Sequence, residues 1–162
     1  MATATLEAPT DLLHYQLRAA LTMEDDSLAA LDELAKAAKS ADIKKMFRHH
    51  ATETKEQIAN LHKVFQLLEL KDSTAPSPAT KGITKQAEGM IGRSSSKLLD
   101  QVVLAAALGN EHYEISCYEA LLVPVTAMGA TDVEKLLRFN LDQETHTSEE
   151  LRSMLQKIAG IG

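Results

Sequence analysis

A chain of 162 residues is long enough to bury one core without disulfides, so its length predicts a single domain over residues 1–162. Hydrophobic residues make up 44% of the chain and aromatic residues only 4%, while strong helix formers such as Ala, Leu, Glu and Lys are frequent, which predicts an all-α protein. The net charge of −6 argues against binding to the phosphates of nucleic acids. We therefore expect no nucleic-acid partner.

Cysteine content and hydropathy predict a location. Cys117 is the single cysteine and has no partner for an internal disulfide. The first residues, MATATLEAP, have neither the basic nor the apolar region of a secretory signal, and no apolar run approaches the 18 residues of a membrane span. The sequence therefore predicts a cytoplasmic protein without a membrane partner.

The first predicted helix follows Pro9 and the capping residues Thr10 and Asp11, and it continues to about Ala38. Its apolar residues recur every three or four positions, which places them on one face of a helix that turns about 100° per residue. Glu24 lies within this apolar stripe. An ionised carboxylate is costly to bury unless it is paired or binds a metal, so Glu24 is a candidate functional residue.

The second predicted helix runs from about Ile43 to Leu70. On its helical wheel His50 and Gln57 lie near the centre of the apolar stripe, and Glu53 lies toward one side but within its width. Because His50 and Glu53 are three positions apart, we expect their side chains to converge on one point of the core.

Residues 71–96 are predicted to form a long crossover. They begin with the Pro/Ser/Thr-rich stretch KDSTAPSPAT, end near SSS, and contain KGITKQAEGMIGR with helical spacing of its apolar residues. A helix pair joined to a second pair by a long connection is typical of ferritin-like bundles, in contrast to simple up-down-up-down bundles.

The third predicted helix runs from about Lys97 to Met128, with a kink expected near Pro124. The stripe of this helix contains Glu111 at its centre and Glu114 about 60° to one side. Another carboxylate thus occupies an apolar face.

The fourth predicted helix begins at Thr131 or Asp132 and has Glu144 at the centre of a stripe that reaches Ile158. The two halves of the chain are similar, because ADIKKMF leads to Glu-Thr at 53–54 and TDVEKLLRF leads to Glu-Thr at 144–145. The halves therefore suggest an internal repeat of two helices.

Each long helix thus contributes one glutamate near its middle: Glu24, Glu53, Glu111 and Glu144. The separations within the two helix pairs are similar, so antiparallel packing would bring the four carboxylates to one level. Carboxylates at one level repel each other unless cations lie between them. A pair of metal ions with oxygen ligands, iron first and manganese second, satisfies that requirement.

These residues resemble the YciE/YciF family of ferritin-like bacterial proteins, which is described as stress-associated. The resemblance covers about residues 10–158, and its most specific segments are NEHYEISCYEALL and MFRHHATETKEQIANLHKVFQLL. It implies a ferritin-like four-helix bundle, a homodimer and a di-iron site, with a proposed ferroxidase or oxidative-stress role that uses dioxygen or peroxide.

The sequence departs from di-iron bundles that use Glu-x-x-His on two helices. The residues three positions after Glu53 and Glu144 are Glu56 and Thr147. The expected ligands are therefore rich in carboxylates, with two residues helping the four glutamates: His50 and Glu114.

Two further interpretations stay open from the sequence. Tyr118, one turn after Glu114, is either a hydrogen-bond donor or redox neighbour beside the site or a packed core tyrosine. The whole protein is either a di-iron oxidoreductase or a metal-free helical bundle that acts as a dimeric or partner-binding scaffold. Thermal stability that does not respond to metal would favour the scaffold.

Overall fold

The computed structural model describes residues 5–160, which form five helices and contain no strand. The helices are α1 (Pro9–Ala37), α2 (Ala41–Leu67), α3 (Pro78–Arg93), α4 (Leu99–Ala127) and α5 (Thr131–Ile158). The predicted all-α class is therefore confirmed. The predicted domain limits, residues 1 and 162, lie outside the described residues.

The four long helices form a bundle in which α1 packs against α2 and α4, and α5 packs against α4 and α2. Short turns join α1 to α2 and α4 to α5, so each of these pairs is antiparallel. On α1 and α4 Ser27 contacts Asn110 while Glu24 contacts Tyr118, so these two helices also run in opposite directions. This is the predicted ferritin-like arrangement of two helix pairs joined by a long crossover.

Two apolar clusters fill the two ends of the bundle. One contains residues from the first half of α1, the end of α2, the end of α4 and the start of α5, with Phe65 and Leu137 fully buried. The other contains residues from the opposite halves of the same helices, with Phe47 and Leu104 fully buried. Each long helix is thus anchored by apolar residues on both sides of its middle.

The crossover is fastened to α1 by hydrogen bonds before it forms α3. The Arg18 guanidinium donates to the Thr74 carbonyl oxygen at 2.8 and 3.1 Å, and the Thr22 hydroxyl donates to the Ala75 carbonyl oxygen at 2.6 Å. At the start of α3 the Thr80 hydroxyl donates to the Asp26 carboxylate at 2.6 Å. Asp26, which lies outside the apolar stripe, therefore holds the crossover helix.

The helix limits differ from the sequence expectations by a few residues. Helix α2 ends at Leu67 rather than Leu70, because Glu69 has a left-handed backbone with φ 54° that a helix does not continue through. Helix α3 begins earlier, at Pro78, since proline suits the first turn of a helix. Helix α4 continues past Pro124 to Ala127 before Gly129, with φ 69°, ends the segment.

The described helices have one further property that bears on location. None of them is both long and apolar enough to cross a lipid bilayer.

Candidate metal centre

A layer of buried polar side chains separates the two apolar clusters at the middle of the bundle. All four long helices contribute to this layer, which is unusual because apolar residues otherwise fill the interior. The polar layer comprises Glu24, Ser27, His50, Thr54, Gln57, Asn60, Glu111, Glu114, Asn140, Glu144, Thr147 and Ser148.

Three carboxylates converge within the polar layer. Glu111 and Glu114 lie one turn apart on α4, and Glu144 faces them from α5. One carboxylate oxygen of each lies within 4.8 Å of the others, and all three residues are buried. Three carboxylate oxygens at this spacing can bind a common cation.

The electrostatics of the three glutamates reflect burial and mutual repulsion. Burial raises the pKa of Glu111 and Glu114 well above 4.5, and the neighbouring Glu144 carboxylate raises each further. Burial likewise raises the pKa of Glu144, while hydrogen bonds with Glu111 and the Gln57 amide oppose that rise. Where no cation lies between them, burial and mutual repulsion therefore favour the protonated form of these carboxyl groups.

Glu24 joins the cluster from α1. It is fully buried and accepts a hydrogen bond from the Tyr118 hydroxyl. Burial raises the pKa of Glu24 well above 4.5, and the Glu144 carboxylate adds to the shift. The polar layer therefore holds four mutually interacting carboxylates from α1, α4 and α5.

A chain of hydrogen bonds that begins on α2 and α5 reaches Glu24 through Tyr118. The Asn60 amide donates to the Asn140 side-chain oxygen at 2.9 Å, and the Asn140 amide donates to the Tyr118 hydroxyl oxygen at 3.0 Å. The Tyr118 hydroxyl donates its own hydrogen bond to Glu24, so this tyrosine is a hydrogen-bond donor beside the site. Tyr118 thus fits both interpretations, because its side chain is fully buried in an apolar cluster while its hydroxyl donates to Glu24.

A second supporting contact lies beside Glu114. The Asn110 amide donates to the Ser27 hydroxyl at 3.1 Å, joining α4 to α1. Hydrogen bonding from Ser27 and Asn110 opposes the rise in the pKa of Glu114. These contacts orient the Glu114 carboxylate.

No buried Lys or Arg balances the carboxylates within residues 5–160. Three buried carboxylate oxygens also have no hydrogen-bond partner there: Glu24 Oε2, Glu111 Oε2 and Glu114 Oε1. An unpartnered buried oxygen is unfavourable, and one bound to a metal is not. The residues present thus fit hard metal ions with oxygen ligands.

The two remaining candidate ligands lie to one side of the carboxylates. His50 is buried, and its Nε2 atom lies 3.7 Å from Glu150 Oε2 on α5. Glu53 is only partly buried, and its Oε1 atom lies 3.5 Å from His49 Nε2. The closest charged partners of His50 and Glu53 thus differ, although the Glu150 carboxylate acts on both, and the Glu53 carboxylate also raises the pKa of Glu144. Neither belongs to the group of three carboxylates that lie within 4.8 Å of one another.

The sequence repeat explains the position of Glu53. Buried residues of α2 and α5 correspond at an offset of 90 positions, as in Phe47 and Leu137 or Leu61 and Leu151. The same offset pairs Glu144 with Thr54, whereas pairing the two Glu-Thr dipeptides requires an offset of 91. Glu53 is thus turned about 100° from the position that Glu144 occupies on its own helix.

Four polar residues of this layer were not identified from the sequence, and neither was the half-buried Asn110 beside it: Ser27, Asn60, Asn140 and Ser148. Asn140 had a visible signal, because it lies four positions before Glu144 on the same stripe.

The residues three positions after Glu53 and Glu144, where other di-iron bundles have histidine, differ in environment, since Glu56 is exposed and Thr147 is buried.

Comparisons with known proteins agree with this architecture. A family model described as a domain of unknown function, DUF892, matches residues 8–160. Protein YciF of Escherichia coli (strain K12) is 27% identical over 146 residues, which cover 89% of this chain and 88% of that protein.

Solved structures give the same result. The crystal structure of the E. coli stress protein YciF has a TM-score of 0.91 and 25% identity, and the match covers 97% of this chain and all of that chain, 100%. The structure of YcfI from Rhodopseudomonas palustris has a TM-score of 0.89 and 29% identity, covering 94% of this chain and 98% of that chain. Since the family model spans almost all of the residues and both comparisons lead to YciF, this chain belongs to the DUF892 family of YciF-like proteins, as its sequence predicts.

Proposed function

We propose that this protein binds a pair of metal ions through Glu24, Glu111, Glu114 and Glu144 and acts as a ferroxidase in oxidative stress. The observation that carries this proposal is the set of buried carboxylates, of which three oxygens lack a hydrogen-bond partner and none faces a buried Lys or Arg within residues 5–160. Iron is the first candidate and manganese the second, because both accept carboxylate oxygens.

Hydrogen bonds from neighbouring side chains position the proposed ligands. Tyr118 fixes Glu24 through a hydrogen bond, and Asn140 in turn fixes the tyrosine hydroxyl. Ser27 and Asn110 hold the neighbourhood of Glu114. The apolar clusters above and below exclude bulk water, which strengthens the attraction between carboxylates and cations.

Bound iron would supply one-electron redox chemistry with dioxygen or peroxide, for which the protein provides ligands and a dry setting. Fe(II) is here the substrate that is oxidised. A role in stress is proposed from the similarity to the E. coli stress protein YciF.

Anaerobic titration with Fe(II), followed by exposure to air, tests the proposal directly. We expect about two oxidised irons per chain and an absorbance band of an oxo-bridged pair. The variant Glu111→Ala should lose both, whereas Glu119→Gln, an exposed change on the same helix, should retain both. An unaltered protein that binds no stoichiometric iron would reject the ferroxidase.

The identity of the metal needs a separate measurement. Elemental mass spectrometry of protein purified without chelators should give close to two metal ions per chain, with iron exceeding manganese. A ratio near zero together with a failed titration would instead support the metal-free scaffold.

We further propose a cytoplasmic homodimer. Exposed apolar side chains at the end of the bundle that contains the C-terminus of α2 support association through that end: Leu12, Leu67, Val123 and Met128. The free thiol of Cys117 suits a reducing compartment. Light scattering after gel filtration should give twice the mass of one chain, 17.7 kDa, and Val123→Glu should give a monomer.

A further inference from the structure

Three of the four long helices place buried carboxylates in the polar layer, and α2 does not. The buried carboxylates lie on α1, α4 and α5: Glu24, Glu111, Glu114 and Glu144. The buried polar side chains of α2 are neutral or weakly basic: His50, Thr54, Gln57 and Asn60. Metal ions enclosed by the four helices would therefore meet a different kind of ligand on the α2 side.

Gln57 is the α2 side chain that reaches the buried carboxylates. It is 2% exposed, and its side chain forms a hydrogen bond with the Glu144 carboxylate that opposes the rise in the pKa of Glu144. A hydrogen bond that favours an ionised carboxylate is one that the amide nitrogen donates. The Gln57 side chain thus ends in the polar layer with its Nε2 atom toward Glu144.

The oxygen end of the same amide has no partner. Gln57 Oε1 is buried and forms no hydrogen bond within residues 5–160. Buried polar atoms are otherwise nearly always satisfied. Turning the amide over does not help, because Oε1 would then face the acceptor oxygens of the Glu144 carboxylate. An oxygen with free lone pairs therefore lies beside the group that Glu144 forms with Glu111 and Glu114.

Covalent geometry places Gln57 Oε1 close enough to share an ion with Glu144. The oxygen and nitrogen of an amide are about 2.2 Å apart, and a hydrogen bond from Nε2 adds about 2.9 Å, so Oε1 lies within about 5 Å of the Glu144 oxygen. Hard divalent ions bind oxygen at about 2.0–2.6 Å, so two of their ligands lie up to about 4–5 Å apart. The last torsion angle of a glutamine side chain has a broad distribution, which allows a small adjustment.

The backbone of Gln57 is fastened to the hydrogen-bond chain that holds Glu24. The Asn140 amide donates to the Gln57 carbonyl oxygen at 3.2 Å and to the Tyr118 hydroxyl oxygen at 3.0 Å. Tyr118 in turn donates to Glu24. One asparagine thus positions a residue of α2 together with a carboxylate of α1, and metal ligands are commonly oriented by such hydrogen bonds.

Charge explains why a neutral ligand suits this position. The four buried glutamates, once ionised, balance two divalent ions. A further carboxylate would leave excess negative charge in the interior, which is costly to bury. An amide oxygen binds a hard ion without adding charge, as the side chains of asparagine and glutamine do in calcium sites.

We propose that Gln57 is the α2 ligand of the metal pair and binds an ion through Oε1 while Nε2 holds Glu144. This inference rests on the proposed metal site but not on ferroxidase activity, because any hard divalent ion that enters the site would meet the same oxygen. Each of the four long helices then contributes at least one ligand.

Calorimetric titration with Mn²⁺ tests this ligand. Gln57→Leu, which has a similar volume but no oxygen, should weaken Mn²⁺ binding at least about tenfold. Gln57→Glu keeps an oxygen but removes the amide N–H, and it should bind Mn²⁺ at least as tightly as the unaltered protein. The matched control is Gln143→Leu, which should leave binding unchanged. Gln143 also has an unpartnered Oε1, yet its amide donates to the exposed Glu56 at 3.1 Å, outside the polar layer.

Electron–nuclear double resonance on the unaltered protein does not depend on the folding of a variant. In protein labelled with ¹³C-glutamine, bound Mn²⁺ should show the strong coupling of a carbonyl carbon whose oxygen binds the ion. Stoichiometric Mn²⁺ without this coupling, or equal weakening by Gln57→Leu and Gln57→Glu, would overturn Gln57 as a ligand and leave the carboxylate site intact. Absence of Mn²⁺ binding would overturn the metal site itself, and its Gln57 ligand with it.

Discussion

The variant Glu111→Gln is expected to stabilise the metal-free protein while removing its response to metal. Glu111 Oε2 is buried without a partner, and the neighbouring Glu144 and Glu114 carboxylates repel a charge at this position. Glutamine has nearly the same shape, carries no charge, and can donate from its amide to Glu144. Folding no longer has to overcome the charge repulsion or take up the proton that removes it, and each unit of pKa rise is worth about 1.4 kcal/mol, so we expect a gain of about 1–3 kcal/mol.

The size of this effect can be measured by thermal unfolding. For a chain of this length 1 kcal/mol corresponds to roughly 2–4 °C, so the melting temperature of Glu111→Gln in a chelator should rise by about 2–12 °C. Metal at one hundred times its dissociation constant should stabilise the unaltered protein by about 2.7 kcal/mol, or roughly 5–11 °C. With Mn²⁺ as the metal, the same concentration should raise the melting temperature of Glu111→Gln by only a small part of that amount.

Calorimetric melts of both proteins in chelator and in Mn²⁺ measure these two effects, and Glu119→Gln is the exposed control on α4. A Glu111→Gln variant that is less stable than the unaltered protein in chelator and still responds fully to Mn²⁺ would contradict this expectation. That outcome would mean that a neutral hydrogen-bond network, rather than a cation, accommodates the polar layer.

Three further predictions concern the raised pKa values of the glutamates, the Tyr118 hydroxyl and the turn between α1 and α2. Once the pH exceeds 4.5, glutamates with raised pKa values should make the metal-free protein lose stability as pH rises, because they hold protons in the folded state that the unfolded chain has released. Above pH 6.5 His50, whose pKa is lowered from 6.5 to about 4, no longer opposes this loss. Denaturant titrations at each pH measure the free energy of unfolding, and a value that rises with pH above 6.5 contradicts the assignment. Tyr118→Phe removes the donor to a buried carboxylate and should cost about 1–3 kcal/mol in urea unfolding, whereas Tyr15→Phe, on an exposed ring, should cost almost nothing. Asp100→Ala removes the acceptor for two backbone amides in the turn between α1 and α2, at 2.6 and 3.1 Å, and should cost about 0.5–2 kcal/mol in the same assay; an unchanged midpoint would show that water replaces the carboxylate.

The architecture was predictable because it depends on periodicity. Apolar residues repeat every three or four positions in all four long helices, and a Pro/Ser/Thr-rich stretch separates the second helix from the third. Burial of Glu24, Glu111 and Glu144 was predictable for the same reason, since each lies at the centre of a stripe. A helical wheel gives the direction of a side chain relative to its own helix, and for these residues that direction is enough.

The environment of His50 was not predictable in this way. The wheel places it near the centre of its stripe, and it is indeed buried. Which groups it meets depends on the residues that α5 presents at the same height, and these include Glu150. Contacts between helices depend on axial register and crossing angle, neither of which a single helix specifies.

The internal repeat accounts for the asymmetry of the carboxylate layer. At an offset of 90 positions, Glu24 corresponds to Glu114, and Glu144 corresponds to Thr54, all of them buried. A strictly symmetric bundle would therefore carry a carboxylate at position 54, but the threonine hydroxyl there donates to the His50 carbonyl oxygen on its own helix at 3.0 Å. Glu111 supplies the fourth carboxylate from a position that corresponds to Leu21 in the first half. Because the negative charge is thus shifted from α2 toward α4 and α5, the buried polar residues on the α2 side of the layer are neutral or weakly basic. His50 is one of them, and neither of its ring nitrogens has a hydrogen-bond partner within residues 5–160. The same displacement turns Glu53 toward His49, with 3.5 Å between Oε1 and His49 Nε2, so one change in register along α2 explains why this helix adds no carboxylate to the group of three on α4 and α5.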